Sequence, residues 1–157
     1  MTGRALASVL LVAGIVATPQ AQAAYKEISF ETLLSDWNYN PKEPWEVSPH
    51  QVANAIPAAV KALDGQKVAV YGATTPLDYK TGVVSQFILG VSADVCAFGA
   101  TPRINEWISV TMNGGRKTMV WAQGNTTVRG TLHVSETVED GRVIRLYRMD
   151  ADSLSSE

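Results

Sequence analysis

From Lys67 onward, apolar and polar residues alternate with a period of two, the repeat of half-buried strands. Lys67 to Tyr71 predicts a first strand, Gly72 a bulge or bend, and Thr75-Pro76-Leu77-Asp78 a turn outward. Val83 to Val91 predicts a second strand, with Phe87, Leu89 and Val91 sharing one face. In a third, Trp107 to Met112, the residues Ile108, Val110 and Met112 share a face until Asn113-Gly114-Gly115 breaks the run. Met119 to Ala122 is apolar but too short to show a period. Thr126 to Glu136 predicts a long fourth strand, with Val128, Leu132 and Val134 on one face and Arg129, Thr131 and His133 on the other. Glu139-Asp140-Gly141 then joins it to a fifth strand, Val143 to Arg148, as a hairpin. A two-residue loop would pair Val134 with Tyr147 and leave Ile144 and Leu146 on the polar side. A three-residue loop pairs Val134 with Leu146 and His133 with Tyr147, and is the register expected.

The preceding part of the chain reads as short helices and loop. Ser29 is placed as an N-cap before a turn carrying Phe30, Leu33 and Leu34 on one face, which Trp37 continues. Asn38 to Pro49 contains three prolines and reads as a wrapped loop; Trp37, Tyr39 and Trp45 are expected to pin it to the core, with an aromatic cage as the alternative. Ser48-Pro49-His50-Gln51 has the order of a helix start, and a further short helix is expected from about Pro57 to Leu63, ended by Asp64-Gly65. Five or so short strands without βαβ alternation predict a mainly β fold, a small antiparallel barrel of oligonucleotide/oligosaccharide-binding (OB) type with short N-terminal helices; a β sandwich is the alternative. Phe87, Leu89, Val91, Ile108, Val110, Val128, Leu132, Val134 and Leu146 are expected to share one core.

Met1 to Ala23 changes the picture of where the chain acts. Arg4, an apolar run from Ala5 to Ala17 and the small residues Ala21 and Ala23 follow the order of a secretory signal peptide. The apolar run is 13 residues long, whereas a membrane-spanning helix needs about 20. Cleavage after Ala23 is expected, leaving one periplasmic or secreted domain from residue 24 to 157 with a short C-terminal tail and no membrane span. Losing Arg4 leaves 12 basic against 15 acidic side chains, with the basic residues scattered among acids. A nucleic-acid partner is not expected from that distribution. One cysteine in the whole chain forms no internal disulfide, so the core must hold the fold.

The most site-like stretch runs from Val95 to Trp107, where Cys96, Gly99, Pro102, Arg103, Asn105 and Glu106 stand together between two strands. Three readings of Cys96 stay open: a small buried hydrophobe, a metal ligand, or a thiol activated by a neighbour such as Arg103. As a metal ligand it would need partners from His133, His50, Asp94 or Glu106, and no Cys-x-x-Cys or His-x-x-x-His spacing supplies them. Cys96 and His133 are the pair a zinc site would draw on, and weak or no zinc binding by the monomer is expected. Asn105 and Glu106 read either as ligands for a partner or as the turn that launches the Trp107 strand, and Arg103 as an exposed contact. No Gly-x-Ser-x-Gly elbow or other nucleophile phrase appears.

The order of phrases resembles a known family. Phe30 to Tyr39, Leu63 to Asp78, the Phe87-Ile88-Leu89 strand, Cys96 to Asn105, Val128 to Leu132 and Leu146 to Met149 together resemble the exported bacterial domain of unknown function 3299. The resemblance implies an OB-like barrel in the periplasm and an association with envelope transport systems, some linked to metal supply, without implying an enzyme activity. Many members of that family place a His two residues after the loop Cys and a run of prolines before the Asn. This chain has Phe98 and, of the run, only Pro102. The function expected is therefore a non-enzymatic periplasmic binding or adaptor domain, presenting the Cys96 to Glu106 loop to a protein or small ligand beside an envelope transporter. The alternative is a metal- or thiol-handling periplasmic protein that uses Cys96.

Overall fold

The strands of the computed structural model close a ring. The structure describes residues 24–34, 56–77, 80–93, 102–120 and 124–155. In chain order these form β1 (Lys26–Ile28), helix α1 (Phe30–Leu34), helix α2 (Ala58–Lys61), β2 (Lys67–Pro76), β3 (Val83–Val84), β4 (Gln86–Gly90), β5 (Trp107–Met112), a 3-10 turn (Asn113–Gly115), β6 (Thr118–Met119), β7 (Gly124–Glu139) and β8 (Arg142–Ser155). The large sheet runs β1-β2-β4-β5-β8-β7, and β2 also pairs with β7, so five strands follow one another around the ring. β3 and β6 form a separate two-stranded ribbon.

The mainly β class and most of the expected core are as the sequence predicts. Phe87, Leu89, Ile108, Val110, Val128, Leu132 and Leu146 are buried together, and Val134 packs against them half-buried. Val91 is the exception, 39% exposed. β4 ends at Gly90, and the Val91 N–H donates to the Glu106 carbonyl at 3.0 Å, so the alternation that buries Phe87 and Leu89 stops one residue short of Val91. The expected strand 83–91 is divided at Ser85 into β3 and β4. The fifth strand runs to Ser155 rather than stopping at Arg148.

The antiparallel expectation also needs correcting, because β1 pairs with β2 and β5 with β8 in parallel. The second pairing follows from connectivity. β7 and β8 are a hairpin, and β7 takes the place beside β2, so β8 enters beside β5 pointing the same way. The hairpin itself takes the register not expected, Val134 opposite Tyr147 and His133 opposite Arg148. Asp140 and Gly141 both have positive φ (50° and 75°), so they form a two-residue loop whose twist suits the strands it joins. Register shifts between Val134 and Val138 then rotate the faces, and Leu146 and Tyr147 both become buried although they are neighbours in sequence.

Two polar side chains, Tyr147 and Asp152, fasten the ends of these elements. The Tyr147 hydroxyl donates to the Leu33 carbonyl at 3.0 Å and holds α1 against the core, and burial keeps this phenol well above the usual tyrosine pKa. On β8, the Asp152 carboxylate accepts from Lys67 at the start of β2, from Tyr25 ahead of β1 at 2.9 Å, and from Asn113 after β5 at 2.7 Å. Lys67, then Asn113 and Tyr25, hold the Asp152 carboxyl below the ordinary carboxylate range against a smaller opposing effect of burial. A carboxyl with a depressed folded pKa adds stability above its unfolded pKa of about 3.9, and that stability is lost as pH falls through the lower folded value. Asp152→Asn is therefore expected to lower the melting temperature at pH 7, with the gap from wild type closing below about pH 4. A gap that stays constant from pH 7 to pH 3 would mean the carboxylate charge contributes nothing.

Candidate functional site

The expected loop is described only in its second half. Cys96 lies outside the described residues, as do Asp94, Phe98 and His50. From Pro102 to Glu106 the chain makes a tight turn closed by Glu106. Its carboxylate accepts the Arg103 N–H at 2.8 Å, and its own N–H donates to the Arg103 carbonyl at 2.9 Å. The Arg103 guanidinium stands 3.8 Å from the same carboxylate, with its side chain 56% exposed. Glu106 is thus the clamp of the turn, and Arg103 is the group the turn holds outward. An exposed pair of this kind contributes little to stability.

Asn105 is buried. It is 2% exposed, and its Oδ1 has no hydrogen-bond partner among the described residues. Leaving a buried carbonyl oxygen unpaired costs about 1–3 kcal/mol. His133 stands elsewhere, on β7. Its Nε2 lies 2.9 Å from the Asp150 carboxylate on β8, so the ring is held across the strand pair. Among the described residues no three of His, Cys, Asp and Glu gather to hold a metal ion.

A groove that sequence reasoning missed lies beside this turn. Its volume is about 950 Å³. Ala69, Tyr71 and Gly72 on β2, with Asn125, Thr127 and Arg129 on β7, line one part. Glu27 on β1, Phe30 and Glu31 on α1, and Val91 to Ala93 after β4 line the rest. The Val91 N–H donates to the Glu106 carbonyl, so a main-chain hydrogen bond ties the wall of the groove to the end of the Arg103 turn. Tyr71, 47% exposed, and Val91 put apolar surface into it, while Arg129, Asn125, Thr127 and two glutamates supply both signs of charge and several donors and acceptors. Gly72 keeps the floor low, since a Cβ there would lie 2.7 Å from the Gly90 carbonyl oxygen and 2.8 Å from the Phe30 ring. The available signal was the alternation of β2. Val68 and Val70 face the core, which sends the aromatic Tyr71 outward with nothing in its own strand to cover it.

Fold and site together define a mainly β domain with a ring of paired strands and an open, mixed-polarity groove beside a clamped turn. The chain belongs to DUF3299, a family of proteins of unknown function, whose model matches residues 18–156. A crystal structure of a DUF3299 family protein from Pseudomonas aeruginosa PAO1 is similar to it at 24% identity, with a TM-score of 0.58 over 85% of this chain and 97% of that one. This likeness bears on the fold alone. A chain assigned as an aspartyl-tRNA synthetase, from Leishmania major Friedlin, shares 9% identity at a TM-score of 0.42 over 92% of this chain and 23% of its own, too slight a likeness to carry an argument. No curated protein matches the chain.

Proposed function

We propose that the chain is a non-enzymatic binding or adaptor domain, exported to the periplasm or beyond, that engages a protein or small ligand through the groove and the Arg103 turn. The groove carries the reading. It is open, it combines an exposed aromatic with convergent polar groups, and its wall is hydrogen-bonded to the turn that presents Arg103. Export rests on the order of residues 1–23. A role beside an envelope transporter rests on the resemblance to the family alone. A metal- or thiol-handling role for Cys96 is the alternative; with the His133 Nε2 against the Asp150 carboxylate, Nδ1 is the ring nitrogen that would be left to ligate.

The scaffold we propose is an OB-like barrel. Numbering only the five ring strands in chain order, they follow one another first, second, third, fifth, fourth and back to the first, with the third and fifth parallel. That order supports the five-stranded Greek-key barrel over a sandwich, because pairing of β2 with both β4 and β7 leaves no gap between two sheets.

The test places a photo-crosslinking residue at Tyr71 or at Arg103 in cells, with Ile144 on the distant β8 segment as the control. A discrete adduct from both positions and none from Ile144, recovered in the periplasmic fraction, is the expected result. Equal labelling from all three positions, or none from any, would overturn the proposal.

A further inference from the structure

The ribbon of β3 and β6 presents apolar side chains to solvent at the other end of the ring from the Arg103 turn. Val83 and Met119 are direct cross-strand partners, 39% and 55% exposed, while the next pair, Val84 and Thr118, turns inward. Leu77, 56% exposed, follows the last residue of β2. The end assignment comes from the ladder: β2 finishes at Pro76 opposite Phe87 and β5 at Met112, while Gly90 and Trp107 pair at the opposite end, where the chain leaves for residues 91–106.

Basic residues flank both strands of the ribbon in sequence. Arg116 and Lys117 lead directly into β6, and Lys80 precedes β3. The Arg116 guanidinium donates to the main-chain carbonyls of Asn113 and Asp152, at 3.1 and 2.6 Å, and among the described residues no carboxylate forms an ion pair with it. No carboxylate pairs with Lys117 among the described residues. The sequence holds no Asp or Glu from Trp107 to Ser135, and Asp78 is the one acid between Asp64 and Asp94. In a chain that is acidic as a whole, basic residues thus flank the ribbon in sequence, and the Asp152 carboxylate near Asn113 is itself paired with Lys67.

We infer that this end of the ring docks on the surface of a bilayer containing anionic phospholipid. A bilayer fits better than a protein. Two strands of two residues offer far less than the roughly 1,000 Å² that a specific protein interface buries. A few apolar side chains set among bases suffice for weak, reversible attachment to anionic headgroups. Docked in this way, the domain would turn the Arg103 end away from the membrane.

Flotation of the purified protein with vesicles tests the inference. With an equimolar mixture of phosphatidylglycerol and phosphatidylcholine, the bound fraction is expected to exceed that on phosphatidylcholine alone by about tenfold, and to fall as salt is raised. Lys117→Glu and Met119→Asp, each at an exposed position, should abolish the difference with melting temperature unchanged, whereas Ile144→Asp should preserve it. No preference for the anionic vesicles, or a preference that survives both ribbon substitutions, would overturn the inference. So would a ribbon-dependent complex with a protein in cells together with no vesicle binding in vitro. The groove proposal stands or falls separately, because none of these residues lines the groove.

Discussion

Gly130→Ala is expected to destabilise the protein by about 3 kcal/mol or more, the upper part of the usual range for overpacking. Gly130 sits where β7 shifts register, between Arg129 and Gly130, and pairs with Ala151. A Cβ built there lies 2.8 Å from the Ala151 Cα and collides with the Asp150 carbonyl oxygen. Both are main-chain atoms of β8, so no side-chain rotation relieves the clash, and the two longest strands of the ring must separate locally. The same movement would disturb Asp150, which holds His133, and Asp152, which ties β8 to β2. Thermal denaturation should show a fall of roughly 10 °C. A fall of one or two degrees would mean that the strands are less closely apposed than described.

Leu132→Ala should cost about 2–5 kcal/mol in chemical denaturation. Leu132 is fully buried, on the inward face of β7 among the residues that fill the ring. Its N–H donates to the Gln66 carbonyl at 3.0 Å and its carbonyl accepts from Gly65 at 2.8 Å, so the backbone around it is held and cannot collapse freely into the space left by the side chain. Val138→Ala, on the same strand but 44% exposed, should change stability by less than about 0.5 kcal/mol. Equal effects at the two positions would contradict the facing assigned to β7.

The strands and their inward residues were legible because alternation is a local property. Phe87, Leu89, Ile108, Val110, Val128 and Leu132 follow it without interruption, and each is buried. What failed depended on where a strand stops or how it turns. Val91 continues the pattern of Phe87 and Leu89 in sequence, yet it lies past the end of β4, where a hydrogen bond to Glu106 takes over. Tyr147 and Leu146 are adjacent, so no strict alternation buries both; the bulges after Val134 do, and single-residue register shifts leave little mark in the sequence. The parallel placing of β8 beside β5 is a consequence of which strand β7 joins, a long-range choice that no window of ten residues contains.

The site was legible to a smaller extent. In sequence Arg103 reads as an exposed contact and Glu106 as either a partner ligand or part of the turn; the two belong to one turn, which the Glu106 carboxylate closes on the Arg103 N–H. Asn105 has the composition of a loop ligand but is buried, since burial depends on what folds over it. The groove draws on β1, β2, β7, α1 and the segment after β4, and five separated segments give no motif. Tyr71 alone left a trace, as an outward aromatic on a strand whose other face is core.

The central claim is that the Tyr71 groove and the Arg103 turn form one binding surface. Titration of the purified protein against the species captured by crosslinking tests this most directly, with wild type compared with Tyr71→Glu, Arg103→Glu and Ile144→Glu by calorimetry. Loss of affinity by about tenfold or more in the first two variants, with Ile144→Glu indistinguishable from wild type and all four proteins equally folded, is the predicted result. Unchanged affinity in both Tyr71→Glu and Arg103→Glu would contradict it.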